Sequence, residues 1–301
     1  MSLPHPLRYS SLLVILGALL SACMASYDVD GIRARDVSLD STAELSDVSE
    51  DSELDEVQHE LDEEDKHDPV DTSDEEVTPQ RSREGLLALY SFRNGSGRVV
   101  ENEVSPGTLA LESEQDFEWL PEQGIRFDGS GGQRVCNQDQ PSHFIEAIQQ
   151  SNAFTLELWL RSQNDVRAGD HPARFVSNAT GWRQNEFNIE VTQFNAELGL
   201  RWRGADGQTH DAGPITAFDG ALHHIVIRQG TSNMELWLDG GRIESQSFGG
   251  PSSWSNSHPL CFGAAIYGSD WRGELFLVAI YARALSDEDI ALHFQLGSGA
   301  D

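Results

Sequence analysis

Few side chains in this 301-residue sequence stand where they could do chemistry together. His223 and His224 are the first pair that a metal or a proton shuttle would use. On a strand, adjacent side chains point to opposite faces, so the two cannot serve one metal or one substrate. Glu157 and Trp159, two apart in FTLELWLR, share a strand face and set a carboxylate beside an indole that can stack on a sugar ring; packing is the plainer use of the same pair. Asp128 in FDGSGG, Asp239 in LDGG and Asp270 in YGSDW are loop carboxylates that, with backbone carbonyls, suit calcium. Trp182, Trp254 and Trp271 fall in or beside expected loops, where an aromatic platform for glycans would sit and where half-buried packing is the competing use. His59 and His67 in HELDEEDKH are eight apart, not the four that would place both on one helix face around zinc. There is no Gly-x-Ser-x-Gly elbow, no His-Glu-x-x-His and no phosphate loop, and no residue is assigned a catalytic role.

The elements that must position these residues are strands. From Gly85 to about Gly297, LLALYSF (86–92), FTLELWLR (154–161), FNIEV (187–191), ELGLRWR (197–203), HHIVIR (223–228), MELWLD (234–239) and GELFLVAIY (273–281) read as strands separated by turn signals. In FTLELWLR, Phe154, Leu156, Leu158 and Leu160 line one face while Thr155, Glu157, Trp159 and Arg161 line the other, which implies apolar layers on both sides. Asp239-Gly240-Gly241 marks a hairpin whose glycines accept positive φ. A helix closes the series in RALSDEDIALHFQLG: Ser286 as N-cap, Asp289 at the capping-box position, Leu285 able to staple on Ile290, and Gly297 as a stop. The pattern predicts an all-β antiparallel sandwich over 85–301 with one short C-terminal helix.

The chain carries a formal charge of -30, and it is unevenly spread. Of the 61 residues from Met24 to Glu84, 22 are Asp or Glu and 5 are Lys or Arg; from 85 to 301 there are 28 acids and 14 bases. The first segment has too little apolar area to offset the entropy of ordering it and is expected to be a disordered acidic linker over 23–84, about 45 Å or more in r.m.s. length. ELDEE (60–64) loosely resembles the paired carboxylates of some glucan hydrolases, a match that chance supplies in an acid-rich tract. The acidic balance of 85–301 argues against nucleic acid and anionic lipid as partners.

Before that segment, Arg8, the apolar run LLVILGALL (12–20) and the small residues Ser21 and Ala22 have the layout of a signal peptide over 1–22. The run is about half the length that a membrane-crossing helix needs. Leu20-Ser21-Ala22-Cys23 resembles the lipobox of bacterial lipoproteins, which implies cleavage before Cys23, diacylglycerol on its thiol and a stable membrane anchor. The localisation expected is an exported, lipid-anchored protein of a bacterial envelope, at the outer membrane and facing periplasm or surface. Cys136 and Cys261 then lie in an oxidising compartment, where they form a disulfide or persist as two buried thiols.

Four stretches in order resemble the laminin-G-like, concanavalin A-like jelly-roll domains: residues 85–112, FTLELWLRS (154–162), LHHIVIRQGTSNMELWLDGGRIES (222–245) and WRGELFLVAIYARALSDEDI (271–290). The resemblance covers about 85–297. It implies that His223, His224, Glu157 and Trp159 are residues of the fold, that a rim calcium site is available to the family, and that the function is noncatalytic binding of carbohydrate or extracellular protein. The rivals are a polysaccharide hydrolase of the same fold and a purely structural envelope module.

Overall fold

The computed structural model describes residues 79–299 apart from 94, 122 and 138–142; the leader, Cys23 and the acidic stretch through residue 78 lie outside the described residues. In chain order the elements are β1 (Leu86–Tyr90), β2 (Val99–Val100), β3 (Leu111–Glu112), β4 (Glu118–Trp119), β5 (Ile125–Asp128), β6 (Val135–Cys136), α1 (His143–Ser151), β7 (Phe154–Arg161), β8 (Ala173–Ala179), β9 (Phe187–Phe194), β10 (Glu197–Arg203), β11 (Thr209–Thr216), β12 (Leu222–Gln229), β13 (Asn233–Leu238), β14 (Gly241–Ser247), β15 (Leu260–Phe262), β16 (Arg272–Tyr281) and α2 (Asp287–Leu296). They form two antiparallel sheets. The first runs β14-β13-β12-β7-β16-β5-β4 with β1 also paired to β16, and the second runs β11-β10-β9-β8-β15-β6-β3-β2.

Strand alternation decides what faces what. Phe154, Leu156, Leu158 and Leu160 of β7 enter the main core between the sheets, together with Ile225 and Ile227 of β12 and Leu198, Leu200 and Trp202 of β10. The opposite face of the first sheet is apolar as well. Trp159, Val226, Trp237, Leu277 and Tyr281 make a second cluster with Leu285 and Ile290 at the start of α2. Helix α2 therefore roofs the first sheet, which is why β7 is buried from Phe154 to Leu160. Ser286 accepts from Asp289 N and the Asp289 side chain returns to the Ser286 N–H, closing the capping box.

Asp239 and Gly240 turn β13 into β14 with φ of 50° and 78°, a pair of left-handed residues matched to the twist of a two-residue hairpin. A second helix, α1, was not expected. It is only nine residues long, with Phe144, Ile145 and Ile148 buried, too short a run to separate from strand or loop by periodicity. Cys136 and Cys261 are bonded to each other across directly paired positions of β6 and β15. The packed chain also begins upstream of Gly85: Arg81 is 3 % exposed.

Candidate functional site

The buried carboxylate of Glu157 organises the roofed face of the first sheet. It is wholly buried and accepts hydrogen bonds from His224 Nε2 (3.0 Å), from His293 Nδ1 (2.9 Å) and from Arg81 Nη1. Arg81 also donates to the carbonyl of Gly297 (2.9 Å), and the Ser82 N–H donates to His293 Nε2 (3.0 Å). With its Nε2 accepting, His293 carries its proton on Nδ1, toward Glu157. Burial works to raise the Glu157 pKa, but the two imidazole hydrogen bonds and the Arg81 charge override it and hold the carboxyl well below the usual range. Trp159 is stacked on His224 at 4.8 Å and covered by Phe294 at 6.0 Å. No sugar can reach it, so the Glu157–Trp159 pair is a packing device.

His223, on the other face of β12, is held between two carboxylates: Asp239 Oδ2 at 2.9 Å and Asp219 Oδ1 at 3.0 Å. Partial burial lowers its pKa, and these two partners outweigh that and raise it. The adjacent histidines thus have separate partners, as strand geometry requires.

The three carboxylates considered for calcium do not assemble. Asp239 is spent on His223 and on the backbone N–H of His224 (2.9 Å). Asp128 accepts from the N–H and hydroxyl of Ser130, both at 2.8 Å, and Asp270 accepts from Gly132 N at 3.0 Å. Asp239 follows β13 and Asp128 ends β5, four strands apart in the sheet order, or about 19 Å at the usual interstrand spacing. Among the described residues, no group of three or more His, Cys, Asp and Glu is placed to hold a metal ion.

The tryptophan platform is corrected in two of its three members. Trp271 is fully buried against Phe127 and Phe175 and donates to Gln193 Oε1 (2.7 Å). Trp254 is 4 % exposed, packs on Phe154 and donates to the Arg203 carbonyl (2.8 Å). Their indole N–H groups find internal acceptors, so both serve the core. Trp182 is 64 % exposed, with the Arg183 guanidinium 5.9 Å from its ring.

The arrangement best suited to a ligand lies instead on the outer face of the second sheet. Registered pairs carry one row across it: Cys136, Cys261, Ser177, Glu190, Arg201 and Asp211. Glu190 is buried under Arg174 Nε (2.8 Å), Arg201 Nη1 (3.2 Å) and the Tyr267 hydroxyl. Burial, then the Glu190 charge, raise the Tyr267 phenol, so it stays a proton donor to that carboxylate. Arg201 Nε reaches on to Asp211 Oδ1 at 3.2 Å.

In the adjacent row Thr192 faces Gly199, and the missing side chain lets the Thr192 hydroxyl lie close over the glycine. A Cβ on Gly199 would lie 2.7 Å from Thr192 Oγ1. Beside this pair lies a groove of about 420 Å³, with the Arg201–Asp211 row on one side, the Phe194–Glu197 row on the other, and Asp170 also lining it. That volume is within the roughly 300–1,000 Å³ of small-molecule sites. Sequence reasoning missed these residues. The available signal was ELGLRWR itself, in which Glu197, Gly199, Arg201 and Arg203 alternate with inward Leu198, Leu200 and Trp202 and put a glycine on the outward face of a central strand.

The family model of the concanavalin A-like lectin/glucanases superfamily (Laminin_G_3) matches residues 131–291. Among solved structures, the receptor-binding domain of botulinum neurotoxin type G superposes with a TM-score of 0.51 at 10% identity, over 70% of this chain and 51% of that one. The binding domain of botulinum neurotoxin DC in complex with SialylT gives 0.52 at 12% identity, over 70% and 51%. The same binding domain in complex with rat synaptotagmin II gives 0.50 at 11% identity, over 70% and 51%. The chain thus spans about half the length of these domains, and at such identities the likeness is one of fold. A search of curated protein sequences finds no match. With the family model covering more than half of the sequence and two antiparallel sheets to bear it out, the chain belongs to the concanavalin A-like lectin/glucanases superfamily.

Proposed function

We propose that this chain is a noncatalytic binding module that takes a carbohydrate on the outer face of its second sheet, exported and anchored to a bacterial envelope through a lipid on Cys23. The groove lined by Gly199 carries the reading. It is a cavity of ligand size on rigid strands, and its lining presents hydrogen-bonding groups of the kind that hold sugar hydroxyls: Thr192, Arg201, Asp211, Glu197 and Asp170. Asp211 is engaged by Arg201, and the neighbouring Glu190 by two guanidinium groups and a phenol, so neither is placed to act as an acid or a base. Binding domains bound to SialylT and to rat synaptotagmin II share the fold, which supports a glycan or an extracellular protein as partner. Lipid anchoring is supported by the residue order Leu20-Ser21-Ala22-Cys23 after an apolar run too short to span.

The full chain on a glycan array, with product analysis of any glycan that binds, tests the reading. Retention of one glycan class without cleavage is the expected result; release of shorter products identifies a hydrolase and refutes it. For the anchor, Cys23→Ala is expected to abolish labelling by an alkyne fatty acid and to move the chain out of the membrane fraction, and continued labelling would refute it.

A further inference from the structure

The groove also has a charge, and its charge chooses among saccharides. Three carboxylates line it, Asp170, Glu197 and Asp211, against one guanidinium, Arg201. That guanidinium is already committed at two nitrogens, Nε to Asp211 and Nη1 to Glu190. Arg174, in the row of Thr192, is likewise engaged: it lies across Glu190 and donates to Ser269 Oγ at 2.7 Å. At the edge strand, Glu244 Oε2 accepts from Gly213 N at 3.1 Å and adds a further carboxylate beside the groove mouth. A sugar carboxylate or sulfate entering here would meet acceptors facing acceptors and like charge at short range. Sugar hydroxyls would instead donate to the carboxylates, and an ammonium group would add a charge-assisted bond to one of them.

We propose that the groove selects saccharides without acidic groups and favours those bearing a free amine, while excluding uronic, sialylated and sulfated ones. The inference rests on the groove being the binding site proposed above. It departs from what the fold alone would suggest, since a neighbouring domain of this architecture was solved with SialylT. The groove here reads as selective by what it repels as much as by what it holds.

The test is calorimetric titration of the full chain with three oligosaccharides of one length: glucosamine, its N-acetylated counterpart, and a uronic acid. At low salt the amine form is expected to bind about three- to tenfold more tightly than the acetylated form, the advantage shrinking as salt is added, with no measurable heat from the uronic acid. Asp170→Asn with Glu197→Gln should erase the amine preference, so that the amine and acetylated forms bind with equal affinity, and a preference that survives both changes would overturn the charge selection. Uronic acid binding as tightly as the acetylated form would overturn the charge selection. Two blocked variants separate that failure from failure of the site. Gly199→Val and Asp170→Trp each put a larger side chain into the lining, the second without touching the core; each should abolish binding of every oligosaccharide. Undiminished binding by both, or no binding of any oligosaccharide to the unmodified chain, would overturn the groove as the site and this inference with it.

Discussion

At the scale of single residues, Glu157 shows how a buried charge is held. Three donors from three parts of the chain converge on it: Arg81 before β1, His224 on β12 and His293 on α2. Replacing the carboxylate removes the one buried charge on which Arg81, His224 and His293 all converge, so Glu157→Gln is expected to cost about 3–5 kcal/mol in denaturant unfolding; a loss below about 1 kcal/mol would contradict the account. The pH dependence has a definite sign. The folded pKa of Glu157 is depressed, so its contribution is complete above the ordinary carboxylate pKa and is lost as pH falls below that value, where the unfolded chain takes up the proton first. His223 behaves oppositely. Its folded pKa is raised, so its stabilisation is complete below the unfolded value of about 6.5 and disappears as pH rises through the folded one. His223→Gln should flatten the stability profile as pH rises above about 6.5, and an unchanged slope there would contradict the assignment. The sequence allowed the separation of His223 from His224, because period-two alternation needs no tertiary information. It could not show that Trp254 and Trp271 find carbonyl and amide acceptors inside the core, since those acceptors are 51 and 78 residues away.

At the scale of elements, the strong strands and the capped helix were legible because their signals are local. β7, β12, β13, β16 and α2 fall within a residue or two of the runs that predict them. β8 and β11 were not legible. ARFVSNA does not alternate, because a bulge after Arg174 resets its facing, and THDAGPIT carries a proline that the sheet accepts only because β11 is an edge strand. The segment 79–84 reads as tether by composition, yet Arg81 and Ser82 bind Glu157 and His293. A chain beginning at Gly85 is therefore expected to unfold at a lower denaturant midpoint than one beginning at residue 79, with an equal midpoint as the contrary result. Cys136 and Cys261 tie the two ends of a 125-residue separation across neighbouring strands. Replacing both with serine should lower stability by about 4 kcal/mol in the chain-entropy view, measured by the same unfolding experiment under non-reducing conditions.

At the scale of the molecule, the two faces of the sandwich have different fates. The outer face of the first sheet is roofed by α2 and sealed by stacked rings around Trp159, while its far end carries the exposed ion-pair row of Arg161, Glu274, Arg126 and Glu118. The outer face of the second sheet carries the Glu190 cluster and, beside it, the groove lined by Gly199. The binding face proposed above is that of β9, β10 and β11. Loop carboxylates and tryptophans drew the sequence reading because loops are where function usually concentrates, whereas this groove is built from outward strand positions whose meaning depends on which strands become neighbours. The most direct check is to follow backbone amide resonances while titrating the glycan that the array identifies. The account predicts shifts concentrated at Thr192, Gly199, Arg201 and Asp211. Shifts confined to the exposed Trp182 hairpin or to the first sheet, with those four unmoved, would contradict it.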